Sequence, residues 1–200
     1  MSQPEEMASL ILRLCDAVSG QREKAATEIF QQGLEAAGAA TAKWLADAEL
    51  AGLFVMGESD SPETTVGLAV ERENFSRIRI ANGSPRLADV PPDQDAEEFE
   101  LHFERGVRLD LLTTKDPQGA GAIAGFLQKF GEGIQQIELL VRDVDRATKI
   151  LRYRFDLEPI YAKTRAGADG TRVNFFLAST LQGKKVLIEL VETAASSRGE

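Results

Sequence analysis

The stretch Gly131-Glu132-Gly133-Ile134-Gln135-Gln136-Ile137-Glu138-Leu139-Leu140-Val141 decides how this chain is read. Two glycines around an acid make a turn, and the alternation that follows is that of a buried strand. A second strand of similar composition, Val186-Leu187-Ile188-Glu189-Leu190-Val191-Glu192, comes later. An earlier pair is spaced in a similar way: Thr65-Val66-Gly67-Leu68-Ala69-Val70, then Val107-Arg108-Leu109-Asp110-Leu111-Leu112. The two pairs read as a weak internal repeat of a strand, a helix and further strands.

Outward from the quoted stretch, Asp143 or Asp145 can cap a helix that carries Val144, Ala147, Ile150, Leu151 and Phe155 on one face. Strands are expected near 159–163, 172–178 and 185–192, separated by Ala166-Gly167-Ala168-Asp169-Gly170 and Gln182-Gly183. In the earlier half, a strand over 65–70 precedes a helix over about 73–80. A polar loop over 84–97 and strands over 99–103 and 107–113 follow, then a small helix over about 122–130. This half shows one clear strand fewer.

Residues 5–56 read as helical throughout. Met7, Leu10, Ile11, Leu14 and Val18 share helix spacing up to a stop at Gly20, and further helices are expected over about 21–38 and 41–54. Their apolar stripes are expected to pack on the following domain or on a second copy of it. The expected fold class is α+β. An N-terminal helical segment (1–56) precedes a domain (64–192) of paired βαβββ units, about 64–114 and 133–192, and a frayed polar tail covers 193–200.

Composition sets limits on function. A hydrophobic fraction of 43% and a charged fraction of 28% are those of a soluble globular chain. A net charge of -9 argues against nucleic acid, which needs a basic footprint. The acidic start, Met1-Ser2-Gln3-Pro4-Glu5-Glu6, is unlike a secretory leader, and no apolar run approaches the roughly 20 residues of a membrane span. The expectation is a cytoplasmic protein with no membrane partner. The single cysteine, Cys15, rules out an internal disulfide and reads as a small buried hydrophobe.

Strand parity then separates the faces. Ile137, Leu139 and Val141 should face a helix, which turns Gln136 and Glu138 to the other side. The same parity turns Glu189 and Asp110 away from their apolar neighbours. One sheet face is therefore expected to be polar at its centre, with Thr65, Arg108, Asp110, Gln136, Glu138 and Glu189, joined by Glu100, His102 and Asn174. Phe176 is expected on that face as an apolar wall. A polar face on a curved sheet suggests a cup for a small molecule. Solvent exposure and internal ion pairing are the alternatives.

The paired units resemble the vicinal oxygen chelate superfamily of glyoxalases, extradiol dioxygenases, bleomycin and fosfomycin resistance proteins and methylmalonyl-CoA epimerases. Gly125-Phe126-Leu127-Gln128-Lys129-Phe130-Gly131-Glu132-Gly133-Ile134-Gln135-Gln136-Ile137 is similar to an epimerase segment, and Val186 to Glu192 is similar to the epimerases' closing strand. The likeness covers about 120–192 well, 64–114 loosely and 1–56 not at all. It implies a glyoxalase-like curved sheet, with a homodimer as the expected state. It also implies four metal ligands, which the epimerases supply as His, Gln, His and Glu. The equivalents here are Thr65, Asp110, Gln136 and Glu189, so only Glu189 matches in kind at its own position. The chain's one histidine, His102, lies in a different strand. Without imidazole, a set of oxygen ligands suits Mg, Mn or Ca better than Zn, Co, Ni or Fe. A metal-free cup, with Arg108 neutralising one carboxylate, is the rival.

Three functions follow. A metal-dependent isomerase or lyase would act next to a carbonyl or thioester, with Glu189 as base or ligand and Glu138 as a second carboxylate. His102 is a candidate base, or a strand histidine without function. A binding protein of the drug-sequestering kind would hold its ligand through Arg108, His102, Asn174 and Phe176 without a complete metal set. A purely interactive role for the N-terminal helices is the third possibility.

Overall fold

The structure, a computed structural model, describes residues 3–57 and 60–193. The expected tail therefore lies outside the described residues, save for Thr193. The chain separates into two compact units. The first holds 1–35 and 65–136, and the second holds 36–64 and 137–200. The helices ahead of the repeat are thus divided between the units.

The helices run α1 (Gln3–Leu14), α2 (Ser19–Leu45) and α3 (Ala48–Ala51). α1 buries Leu10, Ile11 and Leu14, as their spacing predicts, but it ends before Gly20 and leaves Val18 exposed in the turn. The expected break near 38–41 is absent. Ala36-Ala37-Gly38-Ala39-Ala40 is made of the best helix former around one tolerated glycine, with no proline or cap, so α2 continues to Leu45. The real interruption comes at Asp47, whose carboxylate accepts the N–H groups of Glu49 and Leu50 and starts α3.

In the first unit, β1 (Thr64–Ala69, from Thr65 on) leads to α4 (Arg72–Ala81), β2 (Ala96–His102), β3 (Arg108–Thr114) and α5 (Ala122–Phe130). β3 lies between β1, which is parallel to it, and β2, which is antiparallel. β2 begins at Ala96, earlier than expected, because Glu97 and Glu98 pair with Thr113 and Leu112 across the ladder instead of staying in the loop. Val66, Leu68, Phe99, Leu101, Leu109 and Leu111 form the buried face beneath α4, where the Phe75 and Phe99 rings meet edge to face at 4.8 Å. α5 ends at Gly131, whose φ of 73° is a conformation that favours glycine.

The second unit contains β4 (Gly133–Leu140, from Ile137 on), α6 (Val144–Phe155), β5 (Arg165–Ala166), β6 (Arg172–Ser179) and β7 (Lys185–Glu192). Its strands pair in the order β4-β7-β6-β5, parallel for β4–β7 and antiparallel thereafter. Asp143 caps α6 through the N–H of Arg146, and Val144, Ala147, Ile150 and Leu151 are buried as expected. The strand expected over 159–163 is not one. Its backbone meets β6 at Pro159, opposite Phe176, and at the Ile160 N–H on the Phe175 carbonyl, without a continuous ladder, and the short β5 follows it. No helix among the described residues is long and apolar enough to cross a membrane.

Candidate functional site

Each unit carries polar side chains on one sheet face. In the first, the ladders place Gly67 beside Asp110 and Asp110 beside Glu100, and the next row pairs Arg108 with His102. Paired residues share a face, and Thr65 lies two residues before Gly67 on the same side. Thr65 and Asp110 are 8% and 5% exposed, so these polar groups are held within the fold. His102 Nε2 and Glu100 Oε2 are 2.7 Å apart at the exposed end of β2. At the other end the face turns apolar: Ala69, Ala96 and Leu112 pack under Ile123 and Leu127 of α5.

Gln136 enters this face from the start of β4 and is 7% exposed. A Cβ on Gly67 would stand 2.5 Å from Gln136 Cγ and 3.3 Å from its carboxamide carbon. The glutamine therefore lies flat over β1, in space that any other residue at 67 would occupy. The turn before it is fixed by Glu132, whose carboxylate accepts the Glu71 N–H at 2.8 Å and two contacts from the Asn74 amide at 2.9 and 3.0 Å. Glu71 is the N-cap residue of α4 and makes no side-chain cap hydrogen bond; Glu132 instead takes up the N-cap's own N–H, one of the open donors at that helix end.

In the second unit, Glu138 of β4 is in register with Glu189 of β7, and Glu189 is in register with Phe175 of β6. The three share one face, and Glu189 is 8% exposed. Tyr161 meets Phe175 edge to face at 5.9 Å, and the Arg165 guanidinium lies over the Tyr161 ring at 4.4 Å. This aromatic and cationic wall was not legible, because it depends on the course of the loop before β5.

The same register corrects two expectations. Phe176 pairs with Ile188 and Asn174 with Leu190, so both lie on the core face, opposite Glu189. Phe176 is fully buried there. The Asn174 amide is used internally, donating to the Tyr161 carbonyl and accepting the Phe175 N–H. The aromatic beside Glu189 is Phe175. Cys15, half-buried, has its thiol pKa pushed up mainly by burial, and Arg77 opposes this more weakly. That is the direction of an inert thiol.

The donor set does not fit the metal of the epimerase pattern. The residues that the resemblance equates with the pattern's histidines, Thr65 and Gln136, carry no imidazole. Among the described residues no group of three or more His, Cys, Asp and Glu side chains could hold a metal ion.

No protein-family model matches the chain, and no curated protein matches it. Solved structures do. A methylmalonyl-CoA epimerase from Mycobacterium tuberculosis is 31% identical over 66% of this chain and 87% of its own, with a TM-score of 0.54. A methylmalonyl-CoA epimerase in complex with methylmalonyl-CoA and NH4+ is 23% identical, covering 72% of this chain and 96% of its own at a TM-score of 0.53. A substituted Streptomyces coelicolor epimerase in complex with 2-nitronate-propionyl-CoA is also 23% identical, covering 66% and 96% at 0.52.

Proposed function

We propose that this chain, which belongs by its fold to the vicinal oxygen chelate superfamily, binds a small molecule on a polar sheet face and has altered or lost the metal chemistry of the epimerases. One observation carries the reading. At the four ligand-equivalent positions, Thr65, Asp110, Gln136 and Glu189 are polar and at most 8% exposed, yet none offers an imidazole. Four polar side chains kept at the positions that the resemblance equates with a ligand site, among otherwise apolar strands, support a retained binding role. Two of the similar structures hold CoA esters, which makes an acyl thioester the first ligand class to try. We expect the protein to act in the cytoplasm as a homodimer.

A catalytic reading is favoured by the register of Glu138 with Glu189. Two adjacent carboxylates can divide the work of removing and returning a proton next to a carbonyl. Arg108 and His102 are proposed to hold polar groups of the ligand on the first unit's face.

The test is elemental analysis of the full chain, purified without chelator or histidine tag, beside Glu189→Ala. Little or no Zn, Co, Ni or Fe is expected in either. A near-stoichiometric metal that disappears in Glu189→Ala would overturn the reading and point to a metal-dependent epimerase or isomerase. Exchange of the methylmalonyl-CoA α-proton by metal-free wild type, lost in Glu189→Ala, would establish the catalytic form.

A further inference from the structure

The contact between Gly67 and Gln136 has a chemical consequence. Gln136 Cγ and its carboxamide carbon fill the space where a side chain on Gly67 would begin: a Cβ there would lie 2.5 and 3.3 Å from them and 3.2 Å from a Leu112 methyl. Bare backbone lies beneath the side chain, and Leu112, a member of the apolar cluster under α5, borders the same space. A glutamine so confined keeps few rotamers and presents its amide at a fixed place, in the row that continues to Asp110. An amide carries two N–H donors, so it can satisfy a ligand oxygen directly, where an imidazole in its place would be a metal ligand. Asp110 in the same row disfavours a ligand carboxylate at that spot, whereas a neutral carbonyl oxygen meets no such repulsion.

We propose that Gly67 is the seat of Gln136, and that the seated Gln136 amide donates a hydrogen bond to the neutral carbonyl oxygen of the ligand, a thioester or ketone. Gln136 is then a ligand-contacting residue and Gly67 a positioning residue that acts through it. The inference rests on the small-molecule reading above and adds the group recognised and the atom that recognises it.

The test is calorimetric titration of the full wild-type chain with methylmalonyl-CoA and with 2-nitronate-propionyl-CoA, repeated on Gly67→Ala, Gln136→Ala, the double variant and Gln136→Glu. Wild type is expected to bind at least one thioester. Gln136→Ala should weaken it about tenfold, the worth of one neutral hydrogen bond. Gln136→Glu, similar in shape but without the donors, should lose at least as much. Gly67→Ala should weaken binding to a similar extent, and the double variant no further, because both act through one contact. The side-chain amide resonance of Gln136 should move on titration in wild type and be shifted already in free Gly67→Ala. Should Gly67→Ala not fold, the two Gln136 variants carry the test, since alanine only opens space and glutamate keeps the shape. Wild-type affinity in both Gln136 variants would overturn the inference and leave the small-molecule reading standing. A wild-type chain that binds neither thioester would overturn both.

Discussion

The two units use one plan to different ends. The second has the full complement of strand, helix and three strands, and its helix is capped locally by Asp143. The first has one strand fewer after its helix, and α4 borrows its cap from Glu132, far along the chain. α4 is also tied to the N-terminal helices by Asn82, which accepts from Arg22 and donates to the Leu14 carbonyl. The polar positions diverge likewise. The second unit sets two acids in register, while the first lays an amide flat on a glycine beside an acid. A repeat can thus keep its strand parity and exchange both its supports and its chemistry.

The strongest way to break the comparison is through the buried aromatics. Phe99 in the first unit and Phe176 in the second are both essentially fully buried on core faces. Truncating either to alanine should cost about 3–5 kcal/mol, read from denaturant unfolding. Phe175→Ala, half-buried beside Glu189, should cost clearly less. A larger loss for Phe175→Ala than for Phe176→Ala would reverse the assignment of faces in β6.

That assignment shows what could be read in advance. The parity of β4 and β7 was legible because acids alternate with branched apolar residues: Ile137, Glu138, Leu139 and Ile188, Glu189, Leu190. In β6, Phe175, Phe176 and Leu177 are successive apolar residues, so alternation gives no phase. The pairing of Phe175 with Glu189, which follows from the β6–β7 hairpin, supplies it. The buried polar positions Thr65, Asp110 and Gln136 were likewise legible from parity. The seat at Gly67 was not, since it is a contact between residues far apart in the chain. α2 was misread for a local reason: a glycine among alanines resembles a stop, but nothing nearby caps one.

The next effect is smaller and concerns the caps. Glu132→Ala leaves the Glu71 N–H and the Asn74 side-chain amide without their acceptor and should cost about 1–2 kcal/mol. Asp143→Ala, which removes the local cap of α6, should cost about 1 kcal/mol. Hydrogen exchange separates the two, because Glu132→Ala should loosen amides of α4 and Asp143→Ala those of α6. Loss of protection in α4 equal in both variants would mean that Glu132 is not its cap.

The smallest effect is in acid, and it too should divide the units. Asp145 is held below the ordinary carboxylate range first by the Thr164 hydroxyl and then by Arg172. Asp47 is lowered by the Leu50 N–H and by Arg154, and Glu49 by Arg146 and Arg154. All three carboxylates belong to the second unit. A folded-state pKa below the unfolded value of about 4 favours the folded state fully above that value. The contribution is lost as pH falls through the folded-state pKa, because the proton must then be taken up by both states. Asp145 is exposed and Asp47 and Glu49 are half-buried at the surface, so solvent screens all three and each effect is modest. Below about pH 4, amides of the second unit should lose exchange protection before those of the first. Asp145→Asn should be less stable than wild type at pH 7, and the difference should shrink as the pH falls below about 4. A first unit that loosens earlier, or an Asp145→Asn deficit unchanged in acid, would show that these ion pairs do not set the acid limit.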